Sequence, residues 1–142
     1  MAARVAHSTP LLHVAEIERS IPFYEALGYR LIDSDRCVPL GWARLHCESG
    51  DVMFLRAEVA IDAAAQGFLF YMYTQDLESL RAYLVGKGIA VSPIKYPPYM
   101  PSGTVNLADP DGYPVEIAHW GKTEQEAWER RLAQAKGPVA DL

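Results

Sequence analysis

The stretch "NLADPDGYPVEIAHW", Asn106–Trp120, decides the fold. "DPDG" is a tight-turn signal. The runs on either side of it, "TVNLA" (Thr104–Ala108) and "YPVEIA" (Tyr113–Ala118), read as a strand pair. Strand alternation sends Val115 and Ile117 to one face and Pro114, Glu116 and Ala118 to the other. A carboxylate among apolar neighbours has three readings. It holds a metal, it touches a bound molecule, or it sits at a strand edge and reaches solvent.

Working back from that turn, "KYPPYMPSG" (Lys95–Gly103) is rigid, irregular and proline-rich, which suits a lid or rim. "GIAVSPI" (Gly88–Ile94) reads as a short strand. In "DLESLRAYLVGKG", Asp76 is a good N-cap and Leu77, Leu80 and Leu84 form the apolar stripe of a helix. "GFLFYMYTQ" (Gly67–Gln75) is aromatic-rich and favours a strand. The first half repeats this grammar. "LLHV" (Leu11–Val14) is a strand, and Ile17, Ile21, Tyr24 and Leu27 mark a helix that Gly28 stops. Pro22 fits near the start of that helix, where a missing N–H costs little. "ARLHCE" and "DVMFLRAE", separated by "SG", form a hairpin. The order strand–helix–strand–strand–strand therefore occurs twice. Gly28 and Gly88 lie sixty residues apart, as do Glu16 and Asp76. Module one spans about 5–58, a linker runs through Val59–Gly67, and module two spans about 67–121. "KTEQEAWERRLAQAKG" adds a C-terminal helix at about 123–136, with Trp128 and Leu132 on a narrow apolar face.

The chain has 142 residues, 50% of them hydrophobic, which suits one globular domain with a real core. No apolar run is long enough for a membrane span, and the start lacks a secretory signal. A net charge of -5 argues against nucleic acid as a partner. Cys37 and Cys47 do not form a CxxC, and they read as reduced thiols of a cytoplasmic protein. His7, His13, His46 and His119 show no close metal spacing.

"ERSIPFYEALGY" (Glu18–Tyr29), "QDLESLRAYLVGKGI" (Gln75–Ile89) and "DPDGYPVEI" (Asp109–Ile117), in that order, resemble the vicinal oxygen chelate superfamily of glyoxalases, bleomycin-resistance proteins and extradiol dioxygenases. The resemblance implies an α+β fold. Two βαβββ modules curl an eight-stranded mixed sheet into an open cup with helices outside, and most members are homodimers. In metal-bearing members four inward positions carry His, Gln or Glu. Here they fall on Thr9, Leu55, Leu69 and Glu116. Only the last is a good ligand, and a metal site wants three or more. No metal and no cofactor are therefore expected. A register slip would bring in His7, and a larger one His13.

Alternation from those inward positions lines the cup with Met53, Leu55, Leu69, Tyr71, Tyr73, Thr104, Asn106 and Glu116, with Trp42 and Tyr99 near the rim. Such a lining suits a small hydrophobic or aromatic compound, and Glu116 suits a cationic one. The expected function is metal-independent binding or sequestration of that compound, as in bleomycin-resistance proteins, by a homodimer. His13 could meet Glu116 across the cup and act with it as a general base if the protein is an enzyme. The alternatives are a glyoxalase-like lyase, isomerase or dioxygenase, and a non-catalytic structural or regulatory domain.

Overall fold

The computed structural model describes residues 4–135. In the first half β1 (Leu11–Val14) leads into α1 (Ile17–Ala26), followed by β2 (Arg30–Ser34), β3 (Trp42–Cys47) and β4 (Gly50–Arg56). They form a mixed sheet in the order β1-β4-β3-β2, with β1 parallel to β4. In the second half β5 (Phe70–Thr74), α2 (Leu77–Gly86), β6 (Thr104–Ala108) and β7 (Pro114–His119) give a sheet in the order β5-β7-β6. The final helix, α3, runs Lys122–Gln134. Among the described residues no helix is long and apolar enough to cross a membrane.

The α+β class and the paired βαβββ-like modules are present. A single eight-stranded cup is not: the described strands form a four-stranded and a three-stranded sheet. The missing strand is the expected one at Gly88–Ile94. That segment does run beside β6, where Ser92 N–H donates to the Asn106 carbonyl (3.0 Å) and Lys95 and Thr104 exchange backbone bonds (2.9 and 2.8 Å). Between them Pro93 has no N–H to give, and the Ser92 hydroxyl takes the Asn106 N–H that a strand carbonyl would have taken (2.9 Å). Only an isolated bridge survives, at Lys95 and Thr104.

Local chemistry sets the helix ends. Asp76 caps α2 by accepting from Ser79 N–H (3.1 Å) and Ser79 hydroxyl (2.8 Å). Gly28 and Gly88 follow their helices at positive φ, +111° and +82°. Pro22 lies in the second turn of α1, further in than the sequence indicated, so the helix loses one backbone bond there. No side chain of its own caps α1. The second module instead sets a carboxylate beside that end: Asp111 Oδ1 accepts from Ala15 N–H, just before the helix (3.1 Å), and from the Arg19 guanidinium (3.0 Å). An anion at a helix N-terminus is favourable.

One core lies between the helices and the two sheets. It joins Leu12, Val14, Ile17, Val52 and Phe54 of module one to Phe70, Leu84, Val105, Val115 and Ile117 of module two. Tyr24 is its centre, fully buried, with its ring 4.9 Å from Phe54 and 5.9 Å from Phe70. Its hydroxyl donates to Asp109 Oδ2 at 2.9 Å. Asp109 Oδ1 accepts from Asp111 and Tyr113 N–H, both at 2.9 Å. The Asp109 carbonyl accepts from Gly112 N–H (2.9 Å), and Gly112 needs its φ of +90° to close this turn. Tyr113 hydroxyl then donates to the His13 carbonyl at 2.7 Å. "DPDG" is therefore both a turn and the joint between modules.

Burial holds the Asp109 carboxyl above its usual range, against the bonds from Tyr24 and the two amides. Such a group favours folding below its unfolded pKa, and that contribution is lost as pH rises through the raised folded value. Replacing Tyr24 with Phe strips a donor from the buried acid and costs about 1–3 kcal/mol. Urea unfolding of Tyr24→Phe is expected to show a larger loss at pH 7 than at pH 3. An equal loss at both would contradict this account of the joint.

Candidate functional site

The strand register assembles the inner face of module two. Tyr71 and Asn106 both lie opposite Glu116, on β5 and β6, while Tyr73 and Thr104 lie opposite Ala118. β7 is the central strand and Glu116 is 8% exposed, so the strand-edge reading of this acid does not hold. Asn106 Nδ2 donates to Oε1 at 3.3 Å. Tyr99 hydroxyl donates to Oε2 at 3.1 Å, reaching in from the proline-rich segment. That segment is turned by bonds from Met100 N–H to the Pro97 carbonyl (3.0 Å) and from Gly103 N–H to the Met100 carbonyl (3.1 Å). Tyr71 hydroxyl is buried without completing a hydrogen bond. Burial and then the neighbouring Glu116 carboxylate hold the Tyr71 phenol above its ordinary range, and the bond to Glu116 does the same for Tyr99. Both phenols thus remain donors. No ion pair involves Glu116 among the described residues. Tyr73, on the same face, is 56% exposed, and Leu69, just before β5, is 46% exposed.

The inner face of module one holds a different cluster. β3 and β4 pair Trp42 with Leu55, Arg44 with Met53 and His46 with Asp51. Arg44 grips Asp51 Oδ2 through two nitrogens (2.8 and 2.7 Å) and donates to Thr9 Oγ1 at 3.2 Å. His46 Nδ1 bonds the other Asp51 oxygen. His46 first, and then Arg44, hold the Asp51 carboxyl below its usual range. Sequence reasoning missed Arg44, His46 and Asp51. The signal was there: once Met53 and Leu55 face inward, a two-residue hairpin brings Arg44 and Trp42 opposite them.

His13 and Glu116 share no hydrogen bond or ion pair. His13 is exposed and lines a cleft of about 800 Å³ with Trp42, Leu55 and Tyr113, under the segment 57–61. Glu116 is not among the lining residues of that cleft.

A metal does not fit the four positions at which metal-bearing relatives carry ligands. The Thr9 hydroxyl accepts from a guanidinium, Leu55 and Leu69 offer no lone pair, and Glu116 is alone. His7 is exposed and takes no part. Among the described residues no group of three or more His, Cys, Asp or Glu side chains could hold an ion.

Comparison with known proteins is consistent with this geometry. The family model described as Glyoxalase/Bleomycin resistance protein/Dioxygenase superfamily matches residues 4–117. A bleomycin resistance determinant encoded on the transposon Tn5 superposes with a TM-score of 0.67 at 20% identity, covering 83% of this chain and 99% of that one. A bleomycin-binding protein complexed with bleomycin gives 0.66 at 20% identity, over 81% and 98%. TnmS3, an antibiotic binding protein from Streptomyces, gives 0.65 at 20% identity, over 83% and 98%. At this identity the structures speak for the fold. No curated protein sequence matches the chain.

The Asp51 cluster makes a pH prediction. A carboxyl lowered in the folded state stabilises above its unfolded pKa, and that contribution is lost as pH falls through the folded value. Asp51→Asn is therefore expected to be less stable than the native chain at pH 7, with the gap closing below about pH 4. A gap that stays constant in urea titrations down to pH 2.5 (roughly a unit and a half below that carboxyl range) would remove the cluster's assigned role.

Proposed function

The chain belongs to the glyoxalase/bleomycin resistance protein/dioxygenase superfamily, and from that premise we propose that it binds and sequesters a small hydrophobic or aromatic cationic compound without a metal. One observation carries the reading. Glu116 is a buried carboxylate whose partners among the described residues are neutral donors: Tyr99 and Asn106 bond it, and the Tyr71 hydroxyl lies beside it. A buried charge without a counter-charge is costly. A cationic ligand supplies the missing partner, and Tyr71 and Tyr73 on the same face, with Leu69 just before β5, supply apolar and aromatic contact. Two structural relatives are named for binding bleomycin or an antibiotic, which favours the same class of ligand here.

The cup is completed by a second copy of the chain. Among the described residues the two sheets share no ladder, and Leu55 on β4 and Leu69 just before β5 are 37% and 46% exposed. Facing copies would enclose those leucines around the ligand. The free thiols Cys37 and Cys47 fit a reducing cytoplasm.

A thermal-shift screen of aromatic amines and their neutral analogues selects a probe pair. With the cationic member, Glu116→Gln is expected to weaken binding by about tenfold or more in calorimetry, because a bond to a charged group is worth about 1.5–3 kcal/mol. The neutral analogue should bind native and Gln protein alike. Unchanged affinity for the amine would refute the role of Glu116. Sedimentation should give a dimer that Leu55→Asp weakens, and a monomeric native protein would refute the shared cup.

A further inference from the structure

A second aromatic site adjoins the Glu116 face and shares Tyr73 with it, while Glu116 itself does not line it. Tyr73 at the end of β5, Trp120 after β7 and Trp128 on α3 line a cleft of about 480 Å³ together with Glu48 and Ser49, the tip of the β3–β4 hairpin. The Tyr73 and Trp120 rings are 4.8 Å apart and inclined by 68°. Trp120 and Trp128 are 6.4 Å apart and inclined by 70°. Three rings set nearly at right angles present walls of differing orientation. Trp120 is fixed in place: its Nε1–H donates to Gln125 Oε1 at 2.7 Å, and Gln125 Nε2 donates on to Glu129 at 3.2 Å. The polar edge of that indole is thereby satisfied.

The fourth side is acidic. Glu48 is exposed and forms no ion pair among the described residues. Lys122, which lines the adjoining cleft with Trp120, is directed to Glu126 at 3.9 Å. Trp128 is 43% exposed although it packs on Trp120, and no residue of α3 is buried. Packing of α3 thus leaves both Trp128 and Tyr73 open to solvent. Aromatic faces attract cations, most strongly when the cation is a poorly hydrated alkylammonium, and a carboxylate at the mouth adds charge. Trp120, Gln125 and Trp128 also lie beyond residue 117, where the family match ends. The site thus joins residues inside the family match, Glu48 and Tyr73, to residues beyond it.

We infer that Tyr73, Trp120, Trp128 and Glu48 form a binding site for a methylated ammonium group on a small molecule. Its cation is held by Glu48 and the rings, not by Glu116, although Tyr73 borders both sites. Choline is the test probe, compared with its neutral isostere in which tert-butyl replaces trimethylammonium. In ¹H–¹⁵N spectra choline should move the indole signals of Trp120 and Trp128 and leave Trp42 in place. The isostere should bind about tenfold more weakly, and Trp128→Ala should weaken choline by about tenfold. Trp128→Phe, which keeps a ring on the helix, should give an intermediate loss, and Glu48→Gln about a threefold loss. Glu116→Gln should leave choline binding intact. Equal binding of choline and isostere, a response at Trp42 alone, or unaltered affinity in Trp128→Ala and Trp128→Phe would overturn the site. Loss of choline binding in Glu116→Gln would assign the cation to the other face and overturn it too.

Discussion

The bond from Tyr24 to Asp109 is the constraint on which the rest of the molecule depends. It ties the helix of module one to the turn of module two inside a shared core. Both partners are buried, so neither can turn to water for a replacement. The same turn sends Asp111 to the start of α1 and Tyr113 to the carbonyl of His13. Five consecutive residues, Asp109–Tyr113, therefore fix how the modules meet. They also fix strand parity: with Asp109 locked, β7 must send Val115 and Ile117 to the core and Glu116 to the opposite face.

That parity gives each module a different inner surface. In module one the Arg44 guanidinium closes on Asp51, which His46 also bonds. In module two Glu116 has donors but no counter-ion among the described residues. The proposed cationic ligand therefore suits the second surface better than the first. This contrast, more than the overall charge of -5, supports a ligand-binding reading. Net charge reports on the whole surface, whereas the demand for a partner is local to one carboxylate.

Much of the fold was legible because its signals are local. Asp76 caps, Gly28 and Gly88 stop helices, and alternation through β5 and β7 puts Phe70 and Ile117 in the core and Tyr71 and Glu116 opposite. The strand expected at Gly88–Ile94 failed for a local reason too, since Pro93 removes a donor that the apolar pattern does not reveal. What stayed hidden depends on pairing between distant segments. That Tyr24 reaches Asp109, or that Arg44 reaches Thr9, follows from tertiary packing across gaps no period spans. The hairpin cluster lies within reach of cross-strand register, since pairing Trp42 with Leu55 also sets Arg44 opposite Met53 and His46 opposite Asp51. His13 was singled out on strand parity alone, and parity says nothing of which neighbour a side chain meets.

The central claim is that the Glu116 face receives the ligand's cation. Its most direct test is backbone amide chemical-shift mapping of the native protein with a cationic aromatic binder. The account predicts that the largest shifts cluster at Tyr71, Tyr99, Asn106 and Glu116. Shifts confined to the cleft at His13, Trp42 and Tyr113, with the Glu116 face silent, would contradict it.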